Sequence, residues 1–241
     1  MLTRAIGQAA CGLAFLLGAV ATAGAGSFAV SPVRATLSAK LPVGSLVVRN
    51  NGVEPTVVQL EVMHWSQQEG KDIYTPTKEI LATPPIFTVP PGGSQIVRVG
   101  LRRSPDPQRE LTYRLFLQEV PLAKTDFQGL RVVLRLGVPV FVTPAVAVAP
   151  DLRWQAARTS DGELKLSLTN NGNAHIQVAK SRLTLASSAQ PVFTQTVAAY
   201  VLSGQSREWL VKPTALPPPG TALRVYAQTD AGDVQAEVVV E

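Results

Sequence analysis

Alternation broken by prolines and glycines governs what this chain can fold into. After residue 25 it is a succession of short runs in which every second residue is apolar. Its nineteen prolines and eighteen glycines fall mostly between those runs. A side-chain period of two belongs to a strand with one buried face, and no long segment of period 3.6 competes with it. The expected class is all-β. Apolar residues make up 46% of the 241 and charged residues 16%, enough for a core. The length allows one or two domains of roughly 100–200 residues.

Phe28–Leu37, Ser45–Asn50, Thr56–Trp65 and Thr112–Val120 read as strands, as do "IFTV" and "SQIVRVGL" on either side of the turn Pro90–Gly93. About seven short strands in roughly 115 residues is the spacing of an immunoglobulin-like sandwich. "TPAVAVAP" (Thr143–Pro150) carries a proline near each end, and the strand pattern restarts after it. The expectation is therefore two immunoglobulin-like β-sandwich domains, 26–142 and 151–241, joined by a linker at 143–150; that they are set at an angle with a cleft between them is what the family resemblance given below implies. "NNG" occurs at Asn50–Gly52 and again at Asn170–Gly172, each time between two strands. It reads as one turn device used twice, with glycine at a positive φ.

Residues 1–25 read as a signal peptide. Arg4 is the charged start, Cys11–Ala23 the apolar run, and Ala23–Ala25 the small-residue cleavage site, with Ala21–Ala23 as the alternative. An uncleaved anchor is opposed by an apolar run shorter than the roughly 20 residues a span needs. Cleavage would leave 21 basic residues against 17 acidic, a net charge of +4, and would remove the only cysteine. The exported chain would then hold no disulfide, in a compartment that permits them. The positive charge is spread out, with no basic–aromatic stripe of the kind nucleic-acid surfaces show.

Little in the chain points to catalysis. The two histidines, His64 and His175, lie one in each expected domain, and neither sits in a local triad motif. There is no His/Cys cluster for zinc and no glycine-rich phosphate loop opening a helix. The reading is a protein without enzyme activity, metal or cofactor. Trp65, Trp154 and Trp209 could stack on sugars in a carbohydrate-binding module, although tryptophans of a sandwich more often lie in its core or rim.

One stretch does not fit a self-contained domain. In "GLRVVLRLGVPVFV" (Gly129–Val142), Leu130, Val132, Leu134, Leu136 and Val138 recur every second residue, the row a core would bury. Arg131 and Arg135 interrupt it, and Pro139 cannot donate to a central ladder. The row either fills its own sandwich or waits for another protein.

Several segments, in order, resemble one family. "ATPPIFTVPPGGSQIVRVGL" (Ala82–Leu101), "YRLFLQEVP" (Tyr113–Pro121), "FAVSPVRATL" and "LVVRNNGVEPTVVQLEVMHW" are similar to stretches of the periplasmic pilus-assembly chaperones of the chaperone–usher pathway. The likeness covers most of residues 28–142. It implies a chaperone that holds pilus or fimbrial subunits by donating a strand, without ATP, and passes them to an outer-membrane usher. Leu130, Val132, Leu134 and Leu136 would be the donated knobs. Basic residues between the domains would hold the subunit's C-terminal carboxylate. Arg34 matches the first-strand position of that set, and Arg114 resembles the anchor of the archaic branch. Pro139 stands where the best-known branch has a lysine. A hairpin of 113–120 with 130–138 would bring Arg135 near Arg114, with the register open. Arg131 reads as solvated. An exposed edge would also let the free protein pair with a second copy. The rival readings are a pilus subunit or adhesin, which would carry a donor extension near its mature N-terminus, and a secreted enzyme or carbohydrate-binding module.

Overall fold

The computed structural model describes residues 28–121, 132–213 and 215–241, and every described element is a β-strand. Ten strands make the first unit: β1 (Phe28–Ser31), β2 (Ala35–Leu37), β3 (Val43–Asn50), β4 (Thr56–Gln68), β5 (Lys71–Pro76), β6 (Ile80–Thr83), β7 (Ile86–Val89), β8 (Ser94–Leu101), β9 (Leu111–Val120) and β10 (Arg135–Val142). They form one sheet in the order β1-β3-β8-β6 and another in the order β2-β10-β9-β4-β5, with β7 also on β4. Seven strands make the second unit: β11 (Leu152–Arg158), β12 (Leu164–Asn170), β13 (Ile176–Leu185), β14 (Pro191–Val201), β15 (Ser206–Val211), β16 (Ala222–Thr229) and β17 (Gly232–Val239). Their sheets run β11-β12-β15 and β14-β13-β16-β17. Each unit has its own core. Leu37, Leu46, Val97, Leu115 and Val140 are among the fully buried residues of the first, and Leu164, Leu166, Ile176 and Val225 of the second.

Two details differ from the sequence reading. Phe28–Leu37 is not one strand. It breaks around Pro32, which has no N–H to donate; β1 then pairs with β3 in one sheet and β2 with β10 in the other. The Pro90–Gly93 turn likewise joins strands of different sheets, since β7 pairs with β4 and β8 with β3.

The repeated "NNG" is a shared device, but glycine φ is not its basis. Gly92 in the "PPGG" turn has φ +68°, whereas neither Gly52 nor Gly172 has a positive φ. The first asparagine of each triplet does the work. Buried Asn50 donates Nδ2 to the carbonyls of Glu54 (2.7 Å) and Val89 (3.0 Å), and its Oδ1 accepts from the Gly52 N–H at 2.8 Å. Buried Asn170 repeats this with Ala174 (2.8 Å), Val201 (3.0 Å) and the Gly172 N–H (3.0 Å). Each is an Asx-turn nailed into its own core. Gly172 is required for another reason: a Cβ there would stand 2.5 Å from the Ala149 carbonyl oxygen.

The units meet through a third apolar cluster. Trp65 and Phe141 of the first and Leu202 of the second are buried together, flanked by Tyr74 and Tyr200. Gln67 crosses the boundary, donating to the Tyr200 carbonyl at 2.9 Å and accepting from the Leu202 N–H at 3.0 Å. The Glu110 N–H donates to the Asn173 carbonyl at 2.9 Å.

Candidate functional site

β10 decides where this molecule is unfinished. Its even-numbered residues face the core of the first unit, and burial along that row falls steadily toward its start. Val142 and Val140 are fully buried and Val138 is 4% exposed. Leu136 and Leu134 are half-buried against the same core, and Val132 is 63% exposed. Leu130 and Arg131 lie outside the described residues. The row is thus continuous with the core and then runs out of it.

The backbone tells the same story. β9 pairs with β10 over Arg135–Val142, antiparallel. On the opposite side β2 pairs only with Val140–Val142, in parallel. Among the described residues no strand covers the outer side of Arg135–Pro139. Such an edge presents unpaired N–H and C=O groups, a template for another chain.

Three arginines were expected near this edge, and they sit in different surroundings. Arg34 precedes β2. Its Nη1 donates to Asp230 Oδ2 of the second unit at 2.8 Å, with the side chain 43% exposed. Arg114 on β9 is half-buried, its guanidinium 4.3 Å above the Trp65 ring, and it has no ion pair or hydrogen bond among the described residues. Such a cation keeps its donors free for an incoming anion. Both charges reach Tyr200: burial pushes that phenol upward, while Arg34 and Arg114 oppose the shift.

Arg135 is elsewhere. The register sets it opposite Gln118 and Arg114 opposite Pro139, four pairs apart. The expected approach of Arg135 to Arg114 is therefore not observed. The strands slide further along each other than the hairpin reading assumed, and the Phe116 ring leans over Gly137 between the two arginines, 3.1 Å from where a Cβ would stand. Arg135 instead donates to Glu61 at 3.0 Å and lies 4.0 Å over Phe116.

Behind Arg34 lies a charge cluster that local motifs did not reveal. His175 Nδ1 is 2.6 Å from Glu110 Oε2, and its Nε2 is 3.3 Å from Asp230 Oδ2. Its ring stacks on Phe141 at 3.5 Å, with 8° between the planes. Burial disfavours the imidazolium, but the two carboxylates outweigh it, so the His175 pKa is raised. Asp230 is held down to about 2: burial opposes this, and contacts with His175, the Gln177 N–H and Arg34 prevail. Glu110 and His175 are 65 residues apart, and Arg34 and Asp230 are 196 apart, so only the tertiary fold brings them together. His64 packs edge-on against Tyr113 at 5.9 Å.

Among the described residues, an apolar-toothed strand edge that no strand covers lies beside a guanidinium with no ion pair, the arrangement that binding by strand addition uses. The family of pili and flagellar-assembly chaperones, PapD N-terminal domain, matches residues 27–147, and the chain belongs to that family. Solved structures agree in fold. The CsuC–CsuE chaperone–tip adhesion subunit pre-assembly complex, from archaic Csu pili of Acinetobacter baumannii, matches with a TM-score of 0.66 at 20% identity, over 89% of this chain and 99% of the other. The Salmonella enterica SafA pilin complex with the SafB chaperone gives 0.61 at 18%, over 89% and 96%. The E. coli chaperone DraB gives 0.58 at 21%, over 90% and 97%. No curated protein sequence matches. The fold is that of two immunoglobulin-like domains.

Proposed function

We propose that this protein is a periplasmic chaperone that holds pilus subunits by donating the first half of β10 and the residues before it, then delivers them to an outer-membrane usher. It does so without catalysis, ATP or cofactor. In this reading 26–142 is the subunit-binding domain, 143–150 the linker, and 1–25 a cleaved signal peptide, which lies outside the described residues. Leu130, Val132, Leu134 and Leu136 enter the subunit's groove. Arg114, with Arg34 beside it, holds the subunit's terminal carboxylate; Arg135, tied to Glu61, is the weaker candidate.

The observation that carries this is the core-facing row of β10 leaving its own sandwich just where the outer edge is uncovered. A subunit lacking one strand presents the complement: an open groove and an unpaired ladder. Burying a Leu or Val side chain is worth roughly 1.5–3 kcal/mol, so three or four such teeth supply several kcal/mol after ordering costs. The buried Trp65 and Trp154, with Trp209 half-buried 6.0 Å from Trp154, leave little free ring face for sugar stacking.

The test is co-expression with an aggregation-prone subunit of the same assembly system. Wild type recovers soluble complex, and Val132→Asp or Leu134→Asp loses it. Equal recovery with either charge rejects donation. Arg114→Ala weakens capture of a subunit with an intact C-terminus and has no effect once that terminus is removed. Equal weakening of both forms excludes the anchor.

A further inference from the structure

The second sandwich has a free strand edge of its own, on β17. In an antiparallel pair, residues alternate between those that exchange bonds with the partner and those whose N–H and C=O point away. The Val240 N–H donates to the Thr221 carbonyl at 3.0 Å, in the register of β17 on β16, so the even-numbered residues of β17 bond to β16. Asp233, Gln235 and Glu237 therefore aim their backbone groups away from β16. The chain end agrees: the N–H of Glu241, also odd-numbered, donates away from β16 to the Ala156 carbonyl at 2.9 Å. Those last residues are closed against β11 around the Ala156–Val240 bridge. Among the described residues no strand pairs with the outer side of Asp233–Glu237.

β11 faces the same gap. The Asn171 N–H donates to the Asp151 carbonyl at 2.7 Å, which puts the odd-numbered residues of β11 on β12 and turns the backbone groups of Leu152 and Trp154 outward. The cleft here has a volume of about 770 Å³, and Asp151, Leu152, Trp154, Ala236 and Glu237 are among the residues that line it. Trp154 is 8% exposed, and its Nε1 is buried with no acceptor among the described residues. A buried donor without a partner is unfavourable, and a carbonyl brought in by an added strand would relieve it.

The side chains along the edge say what fits. Val234 and Ala236 face inward and are half-buried, whereas Asp233, Gln235 and Glu237 stand on the exposed face. Inward-pointing charges block an edge, and this edge has none. Directly opposed side chains of neighbouring strands share a face. In an added strand, residues opposite Val234 and Ala236 turn into the cleft and favour small apolar groups. Those opposite Asp233 and Glu237 favour cations. Glu237 already takes a bond from Arg224 at 2.9 Å, and Asp233 has no ion pair among the described residues.

We infer that the free edge of β17 is a docking site for an extended segment of a partner protein in which small apolar residues alternate with basic ones. The site belongs to the second sandwich and is independent of donation by β10.

Titration of the protein with two peptides tests it: acetyl-TRVRVRT-amide and its acidic counterpart acetyl-TEVEVET-amide. Their blocked ends offer no carboxylate to the arginines near β10. The basic peptide binds about tenfold tighter than the acidic one. At saturation it shifts the NMR resonance of the Trp154 indole N–H, identified by its loss in Trp154→Phe. Asp233→Lys narrows the preference to about threefold or less. Gln235→Pro removes one outward N–H without touching the ladder to β16, and weakens the basic peptide about tenfold. Val132→Asp leaves both affinities unchanged. Equal affinity for the two peptides, or a preference that survives Asp233→Lys, overturns the inference. So does a Trp154 resonance that stays fixed at saturation, or loss of binding in Val132→Asp, which places the peptide on β10. Failure of the basic peptide to bind overturns it as well; a dimer that Gln235→Pro dissolves would then assign the edge to a second copy of this chain.

Discussion

The two sandwiches share a plan and differ in how their last strands end. In the second unit the chain seals the seam between its sheets. Val240 bridges Ala156 in parallel, the Glu241 N–H donates to the Ala156 carbonyl at 2.9 Å, and the Arg158 N–H donates to the Glu241 carbonyl at 3.0 Å. In the first unit β2 pairs with the final three residues of β10, and among the described residues no strand pairs with the outer side of its earlier half. Both units use the same buried asparagine turn and have cores dominated by Val and Leu. The difference lies in whether the apolar row of the closing strand ends inside the sandwich or continues beyond it.

The sharpest way to break the comparison is to put one charge on each closing strand. Val240 is 2% exposed, so Val240→Asp buries an unpaired carboxylate and destabilises the second unit by about 3–5 kcal/mol. Val132→Asp leaves the free protein within about 0.5 kcal/mol of wild type, because that side chain has no core of its own to disturb. Urea unfolding followed domain by domain gives both values, and comparable losses would mean that the first unit also needs its row.

Next come the turns. Asn50→Ala and Asn170→Ala each strand two carbonyls and one amide, and each costs about 2–3 kcal/mol in its own unit and little in the other. A large cost in only one unit would show that the repeat is superficial.

A smaller contrast concerns two buried tryptophans. Trp65 donates Nε1 to Asp72 at 3.1 Å and supports Arg114, so Trp65→Phe costs about 1–2 kcal/mol and weakens subunit capture. Trp154 Nε1 is buried with no partner, so Trp154→Phe removes an unsatisfied donor and is near neutral, within about 0.5 kcal/mol, by the same urea measurement.

The gentlest perturbation is pH, acting on the contact between the units. His175 has a raised pKa, so its contribution is complete below about 6.5, its unfolded value, and is lost as pH rises through the higher folded value. Asp230 acts in the opposite sense: its contribution is complete above about 4 and is lost as pH falls toward its folded value of about 2. Stability and amide protection at the Glu110–Asn173 contact should fall from pH 6 to pH 9 in wild type and stay flat in His175→Gln. A wild-type profile in that variant removes His175 from the contact.

Much of this was legible because period two is a local property. Most of the strands, the restart after residue 150 and the core-facing row Leu134–Val138 follow from alternation alone. What was hidden depends on register or on distant partners. Arg114 and Arg135 share a face, but their spacing is set by where β9 and β10 slide to rest, which a hydrophobic pattern fixes only modulo two. The Glu110–His175–Asp230 cluster joins residues from three separated segments and leaves no spacing to read. In "NNG" the glycine drew the eye, while the first asparagine holds the turn.

Gly172 gives the segment before β11 an unexpected character. With its backbone packed against the Ala149 carbonyl, Asn173 bonded to both Ala147 and Ala149, and Asn171 N–H bonded to Asp151, the turn after β12 grips residues 147–151. Residues 147–151 are therefore fastened to the second sandwich. The turn between β12 and β13 thus holds residues 147–151 on the second sandwich, and one methyl group at position 172 would be enough to disturb that hold.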